Sequence, residues 1–116
     1  MNPLPEFLDE GPKHGAPTIL LAHGAGAPMD SASMAAAAKA LVAAGFRVVR
    51  FEFGYMAARR SGQRKPPPRA ETLIPQYLAA VEALEVEAPP IIGGKSMGGR
   101  VASMAADQLF KAGRIS

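Results

Sequence analysis

Residues 89–103 read PPIIGGKSMGGRVAS, and this stretch leaves the chain few ways to fold. It overlaps two motifs: Gly94-Lys95-Ser96, as in phosphate-binding loops, and Gly94-Lys95-Ser96-Met97-Gly98, the Gly-x-Ser-x-Gly of a serine on a sharp strand-to-helix turn. A phosphate loop needs a glycine five residues before Gly94, because the backbone between them wraps the phosphates. Pro89 stands there, and residues 89–93 read as the strand itself. The serine turn fits its surroundings: a short apolar strand precedes it, a helix follows, and glycines on both sides leave room for a strained backbone. In that setting the Ser96 hydroxyl stands above the carboxyl end of a sheet. The Met97 N–H lies at the helix start, where a developing oxyanion is stabilised. The bland alternative is a glycine-rich turn with no chemistry.

The rest of the chain supplies the sheet. Residues 17–23, PTILLAH, form a continuous apolar run without alternation, the pattern of a buried parallel strand. Asp30 or Ser31 caps the alanine-rich helix SASMAAAAKALVAAG, which Gly45 ends. Residues 46–53, FRVVRFEF, make the next strand. Residues 54–69 read as a long loop stiffened by Pro66-Pro67-Pro68, and residues 70–87 as a helix with Leu73, Tyr77, Leu78, Val81 and Leu84 at spacings of three and four. Pro75 either sits in its first turn or breaks it. Ile91-Ile92 form a very short strand and residues 96–111 a helix closed by Gly113. Alternating strands and helices predict an α/β fold, a three-layer sandwich with a mostly parallel sheet and right-handed crossovers. A single domain spans 1–116, with 1–16 an irregular lead-in holding at most one short edge strand. His14 in that segment reads as solvated.

Composition narrows the classes. The chain has no cysteine, which removes disulfides and thiolate metal sites, and it shows no charged start followed by an apolar leader run, so the cytoplasm is the expected location. No apolar run approaches the roughly 20 residues that cross a bilayer, so no membrane contact is expected. The +3 charge is local: Arg59, Arg60, Arg64, Lys65 and Arg69 crowd one loop without an acid, and removing these five leaves the remainder at −2. No aromatic residues interleave to stack bases, so nucleic acid is disfavoured as a partner. Arg59, Arg60 and Arg64 are candidate anion-binding residues. No His, Asp and Glu cluster has ligand spacing, so neither a metal nor an organic cofactor is implied.

The second element of chemistry is LAHGAGAPMDS, residues 21–31, directly after the first strand. In serine hydrolases of this architecture a backbone N–H from that loop is the second oxyanion donor, often introduced by His-Gly. Ala25 is the candidate donor, Gly24 gives the loop its room, and His23 shapes the loop. A dinucleotide fingerprint at Gly24-Ala25-Gly26 is the competitor. It lacks the third glycine, where Met29 stands, and Glu52 is the nearest ribose-binding acid.

The blocks HGAGAPMDS at 23–31, RFEFGYMAARRSGQRKPPP at 50–68 and GGKSMGGRVAS at 93–103 resemble the α/β-hydrolase superfamily. They are most similar to a bacterial branch grouped with testis-expressed protein 30 and NSL complex subunit 3. Gly54 stands where that branch often has proline. The resemblance implies an esterase-like fold, a small acyl substrate and Ser96 as nucleophile. It also includes members serving as non-enzymatic scaffolds.

The acid and base of that fold's triad follow the serine in the chain, yet the residues after Ser96 contain Asp107 and no histidine. Asp107 lies eleven residues down the helix, about 16 Å along its axis, too far to serve Ser96. The expectation is the N-terminal part of an α/β-hydrolase fold, inactive by itself. The strand at Ile91-Ile92 would be left as a bare edge, open to self-association or to a C-terminal complement. The alternative function is a non-catalytic module that binds an anionic partner through the basic loop 59–69.

Overall fold

The computed structural model describes residues 6–116. Four strands make one sheet in the order β1-β3-β2-β4: β1 (Phe7–Glu10), β2 (Thr18–Ala22), β3 (Arg47–Phe51) and β4 (Ile91–Gly94). β2, β3 and β4 run parallel, with Leu20 opposite both Val49 and Ile92, while β1 pairs antiparallel with β3. The helices are α1 (Ala32–Ala43), α2 (Gly54–Arg60), α3 (Ala70–Ala83) and α4 (Met97–Lys111). The α/β class and the mostly parallel sheet read from the sequence are both present.

Side-chain alternation explains the layers. Leu20, Ala22, Val49 and Phe51 project from the sheet into one core cluster with Tyr77 and Val81 of α3 and Val101 and Ala105 of α4. Ile19 and Val48, one residue out of phase, are buried outside that cluster, as are Met34 and Ala38 of α1. Two covered faces account for the unbroken apolar runs of β2 and β3. Ser31 caps α1, its hydroxyl accepting from the Met34 N–H at 3.4 Å.

Two buried arginines tie β3 to its neighbours. Arg47 makes a bidentate pair with Asp9 of β1 at 2.7 and 3.0 Å and donates to the Glu85 carbonyl at 2.7 Å. Arg50 pairs with Glu10 and donates to the Met29 carbonyl at 2.9 Å. The lead-in 1–16 therefore includes β1 as its edge strand, held by charge as well as by the ladder; residues 1–5 lie outside the described residues.

Three local expectations are corrected. Residues 54–60 are helix and not loop, because burying Tyr55 and Met56 at 6% and 2% exposure stabilises a turn that the local sequence does not signal. Pro75 neither opens α3 nor breaks it. It sits on an exposed face five residues after Ala70, where its missing N–H costs only the bond to the Glu71 carbonyl. That helix ends at Ala83 and not at Glu87, since Leu84 turns extended and the Glu85 carbonyl accepts from Arg47 in place of a helical N–H.

β4 pairs with β2 along one side, and among the described residues its other edge carries no strand. Ile91 is 39% exposed there. The Ser116 N–H donates to the Pro90 carbonyl at 2.9 Å, and Ile115 is buried in the core.

Tyr77 locks β2 to β4 from below. Its hydroxyl proton is shared between the carbonyls of Leu20 at 2.9 Å and Gly93 at 2.7 Å, and its oxygen accepts from the Gly93 N–H at 3.2 Å. Burial pushes this phenol's pKa well above its ordinary value. Tyr77→Phe removes the bridge and leaves buried backbone groups unpaired, so the expected loss is about 1–3 kcal/mol in urea unfolding. A variant as stable as the native chain would show that the bridge contributes nothing.

Candidate active site

The turn after β4 is the tightest place in the fold. The ladder continues to the Lys95 N–H, which donates to the Ala22 carbonyl at 3.0 Å, and α4 starts two residues later. Between them Ser96 has φ 55° and ψ −112°, the one positive φ of a non-glycine residue among those described. Such a backbone costs about 1–3 kcal/mol and persists only when its surroundings impose it. Here they do. A Cβ on Gly98 would fall 2.4 Å from the His23 carbonyl oxygen, and one on Gly94 2.5 Å from the Gly98 carbonyl carbon. One on Gly99 would meet the Gly94 oxygen at 2.8 Å. Gly93, by contrast, has ordinary space.

The loop after β2 lies against this turn. A Cβ on Gly24 would sit 3.4 Å from the Lys95 oxygen and 3.7 Å from the Ser96 Cβ. Residues 23–25 and 94–98, picked out separately in the sequence, thus meet at the carboxyl ends of β2 and β4. Among the described residues no carbonyl or side chain accepts from the Met97 N–H, and none accepts from the Ala25 N–H. Ser96 itself is exposed.

His23 is fully buried and committed at both nitrogens. The Phe53 N–H can only donate, so Nε2, 3.1 Å away, is the acceptor. Nδ1 then carries the proton and donates to the Gly24 carbonyl at 2.6 Å. In a trans peptide the N–H points opposite to the carbonyl, so this bond aims the Ala25 N–H away from the imidazole. The ring stacks edge-on against Phe53 and Tyr55, with centroids at 5.3 and 5.8 Å. His23 has no nitrogen left to take a proton from Ser96.

Two further groups hold the same loop: Tyr55, which the sequence did not mark as a site residue, and Arg60, read there as an anion-binding candidate and found bonded to carboxylates of the chain itself. Tyr55 donates its hydroxyl to the Ala25 carbonyl at 2.8 Å, and burial raises its pKa. Arg60 joins Glu52 at 2.6 and 2.8 Å and Asp30 at 2.8 Å, while Glu52 also accepts from the Met29 N–H at 3.2 Å. The bonded guanidinium keeps the Asp30 carboxyl below its ordinary range. Both residues come from 54–60, read as loop, where no local signal points to Tyr55 and the partners of Arg60 are distant in sequence.

The other candidates lie apart. Arg59 stacks over Tyr55, its guanidinium carbon 5.6 Å from the ring centroid. Arg64 is exposed in the segment after α2. His14 is exposed and pairs with Glu87 at 3.2 Å, beside the segments that lead into β2 and β4, hence at the opposite end of the sheet from Ser96. Asp107 is exposed and pairs with Lys111 at 3.0 Å.

A mostly parallel sheet with covered faces defines an α/β protein, and at the carboxyl end of that sheet a strained serine lies beside two unengaged N–H groups. A family model described as an alpha/beta hydrolase domain matches residues 15–116, and the chain belongs to that family. No curated protein matches the sequence. Among solved structures it is similar to Est1E from Butyrivibrio proteoclasticus with ferulic acid bound, at 17% identity and a TM-score of 0.72. The match covers 92% of this chain and 45% of that one, so the chain spans less than half the length of its solved relative. No helix among the described residues is long and apolar enough to cross a membrane.

Two outcomes follow from this geometry. Ser96→Gly relieves the positive φ and is expected to stabilise the fold by about 1 kcal/mol relative to Ser96→Ala. Equal urea midpoints for the two variants would show that the turn is unstrained. Burial also holds the His23 pKa below its ordinary 6.5, although the Gly24 bond pulls it up. The unfolded chain then takes a proton near pH 6.5 that the folded one refuses until lower pH. This contribution to stability is complete above 6.5 and is lost as the pH falls toward the folded value. His23→Gln keeps an acceptor for Phe53 and removes the titration, so the native chain should lose more stability than the variant below pH 6.5. Parallel pH profiles would contradict the buried neutral imidazole.

Proposed function

We propose that this chain carries the nucleophile of a serine hydrolase acting on an ester or related acyl bond. The observation that carries the reading is the strained Ser96 beside the two unengaged N–H groups of Met97 and Ala25. In the reaction a base from outside the described residues takes the Ser96 proton as Oγ attacks the acyl carbon. The carbonyl oxygen becomes an oxyanion between the two N–H groups, and its collapse breaks the ester C–O bond, the same group returning the proton to the leaving alcohol; water, deprotonated in the same way, then cleaves the acyl-enzyme. Ferulic acid, found in the solved relative, is a small carboxylic acid of the kind such a reaction releases. Within the family we read the three blocks at 23–31, 50–68 and 93–103 as those of the bacterial branch grouped with testis-expressed protein 30 and NSL complex subunit 3.

In this reading acid and base come from outside the described residues. His23 is committed, while His14 and Asp107 are paired elsewhere. A segment or partner adding to the open edge of β4 is the route by which a second set of catalytic groups reaches Ser96. Without them an oxyanion hole and binding retain only ~10³ to 10⁴ over water.

The test is fluorophosphonate labelling of the purified chain across pH, with Ser96→Ala as control. The expected result is slow labelling, confined to Ser96, that rises about tenfold per pH unit, because hydroxide must do the work of the missing base. A plateau near neutral pH would mean that this chain contains its own base. Folded protein that never labels at Ser96 would remove the nucleophile.

A further inference from the structure

The carboxylates near Ser96 are already engaged. Asp30 and Glu52 both hold Arg60, and Glu71 faces Arg69 at 3.6 Å. Glu6, which leads into β1, lies at the far edge of the sheet, with β3 and β2 between it and β4. Several cations at this end meet no carboxylate among the described residues, Arg64, Lys65 and Arg100 among them, and two of them, Lys95 and Arg59, flank the serine and the loop beside it. Lys95, adjacent to Ser96 and exposed, donates to the Ser33 hydroxyl at 2.6 Å. Arg59 makes only long contacts, to the Met56 sulfur at 3.9 Å and the Lys65 carbonyl at 3.5 Å. Its guanidinium rests on the Tyr55 ring, whose hydroxyl grips Ala25, and its charge opposes protonation of His23. One uncompensated cation therefore stands beside the serine and another beside the loop that carries the second oxyanion donor.

We propose that the Ser96 site selects a small ester that also carries a carboxylate, which Lys95 and Arg59 receive while the ester carbonyl meets the N–H groups of Ala25 and Met97. This rests on the acyl-hydrolase reading above. An ammonium beside the turn and a planar guanidinium beside the loop both recognise a carboxylate, and the arginine adds a two-pronged geometry. Two partly exposed pairs together give about a tenfold preference for the charged ligand.

Binding can be read without turnover. The ¹⁵N-labelled chain is titrated with monoethyl succinate, diethyl succinate and inorganic phosphate, following the amides of Gly24, Ala25 and Met97 and the Arg59 Nε–H. The expected result is that the monoester moves all four signals and binds about tenfold more tightly than the diester. Added salt should weaken it, and Lys95→Gln with Arg59→Gln should reduce it to the affinity of the diester. Equal affinities for the two esters would overturn the charge selection and leave the hydrolase reading standing. Failure of either ester to move Ala25 and Met97 would overturn both. Phosphate binding as tightly to the same groups would show an anion site without ester selectivity and would also overturn the proposal.

Discussion

The close crossing of α4 over the end of β2 is the constraint on which the rest depends. Gly98 lies so near the carbonyls of Ala22 and His23 that a single methyl group would collide with both. The chain can pass from β4 into α4 there only by turning sharply at one residue, and that residue is Ser96, with its positive φ. The turn lifts the hydroxyl out of the sheet and leaves the first N–H of the helix unengaged. Packing of backbone on backbone thus creates the strained serine and one unengaged N–H together.

The second unengaged N–H, that of Ala25, depends on side chains. His23 fixes the Gly24–Ala25 peptide from below, Tyr55 holds the next carbonyl, and the Arg60 cluster anchors the loop further along at Met29 and Asp30. Three of these four holding points, Glu52, Tyr55 and Arg60, come from the residue after β3 and the helix that follows, so the loop is referenced to a neighbouring strand and not only to its own. Such referencing is what a preorganised site needs, because donors that must reorganise during reaction lose most of their electrostatic value. It also divides the basic segment 59–69. Arg60 is a structural ion consumed by carboxylates, whereas Arg59 keeps an uncompensated charge.

Much of this was legible because the signals were local. The apolar run at 18–22, the alanine-rich helix with its Ser31 cap, the β-branched strand at 47–51 and the glycine-flanked serine all announce themselves within a few residues. What could not be read depends on distant partners. The helix at 54–60 exists because Tyr55 and Met56 find a core, and its first N–H is met by Gln76, 22 residues away. Arg60 looked like one of five free cations until Asp30 and Glu52 were brought to it across the fold. Glu52 drew attention as a ribose-binding acid and instead closes a salt bridge. Pro75 was read as lying in the first turn of its helix or breaking it; it does neither, and its exposed position near the start of α3 makes it tolerable.

We propose that Ser96, Met97 and Ala25 form one reactive centre. The most direct test is a crystal structure of the chain after Ser96 has been phosphonylated. The phosphonyl oxygen is expected about 2.7–3.1 Å from both the Ala25 and Met97 nitrogens, with the Gly24 carbonyl still bonded to His23. A phosphonyl oxygen directed into solvent, with both N–H groups left unengaged, would contradict it.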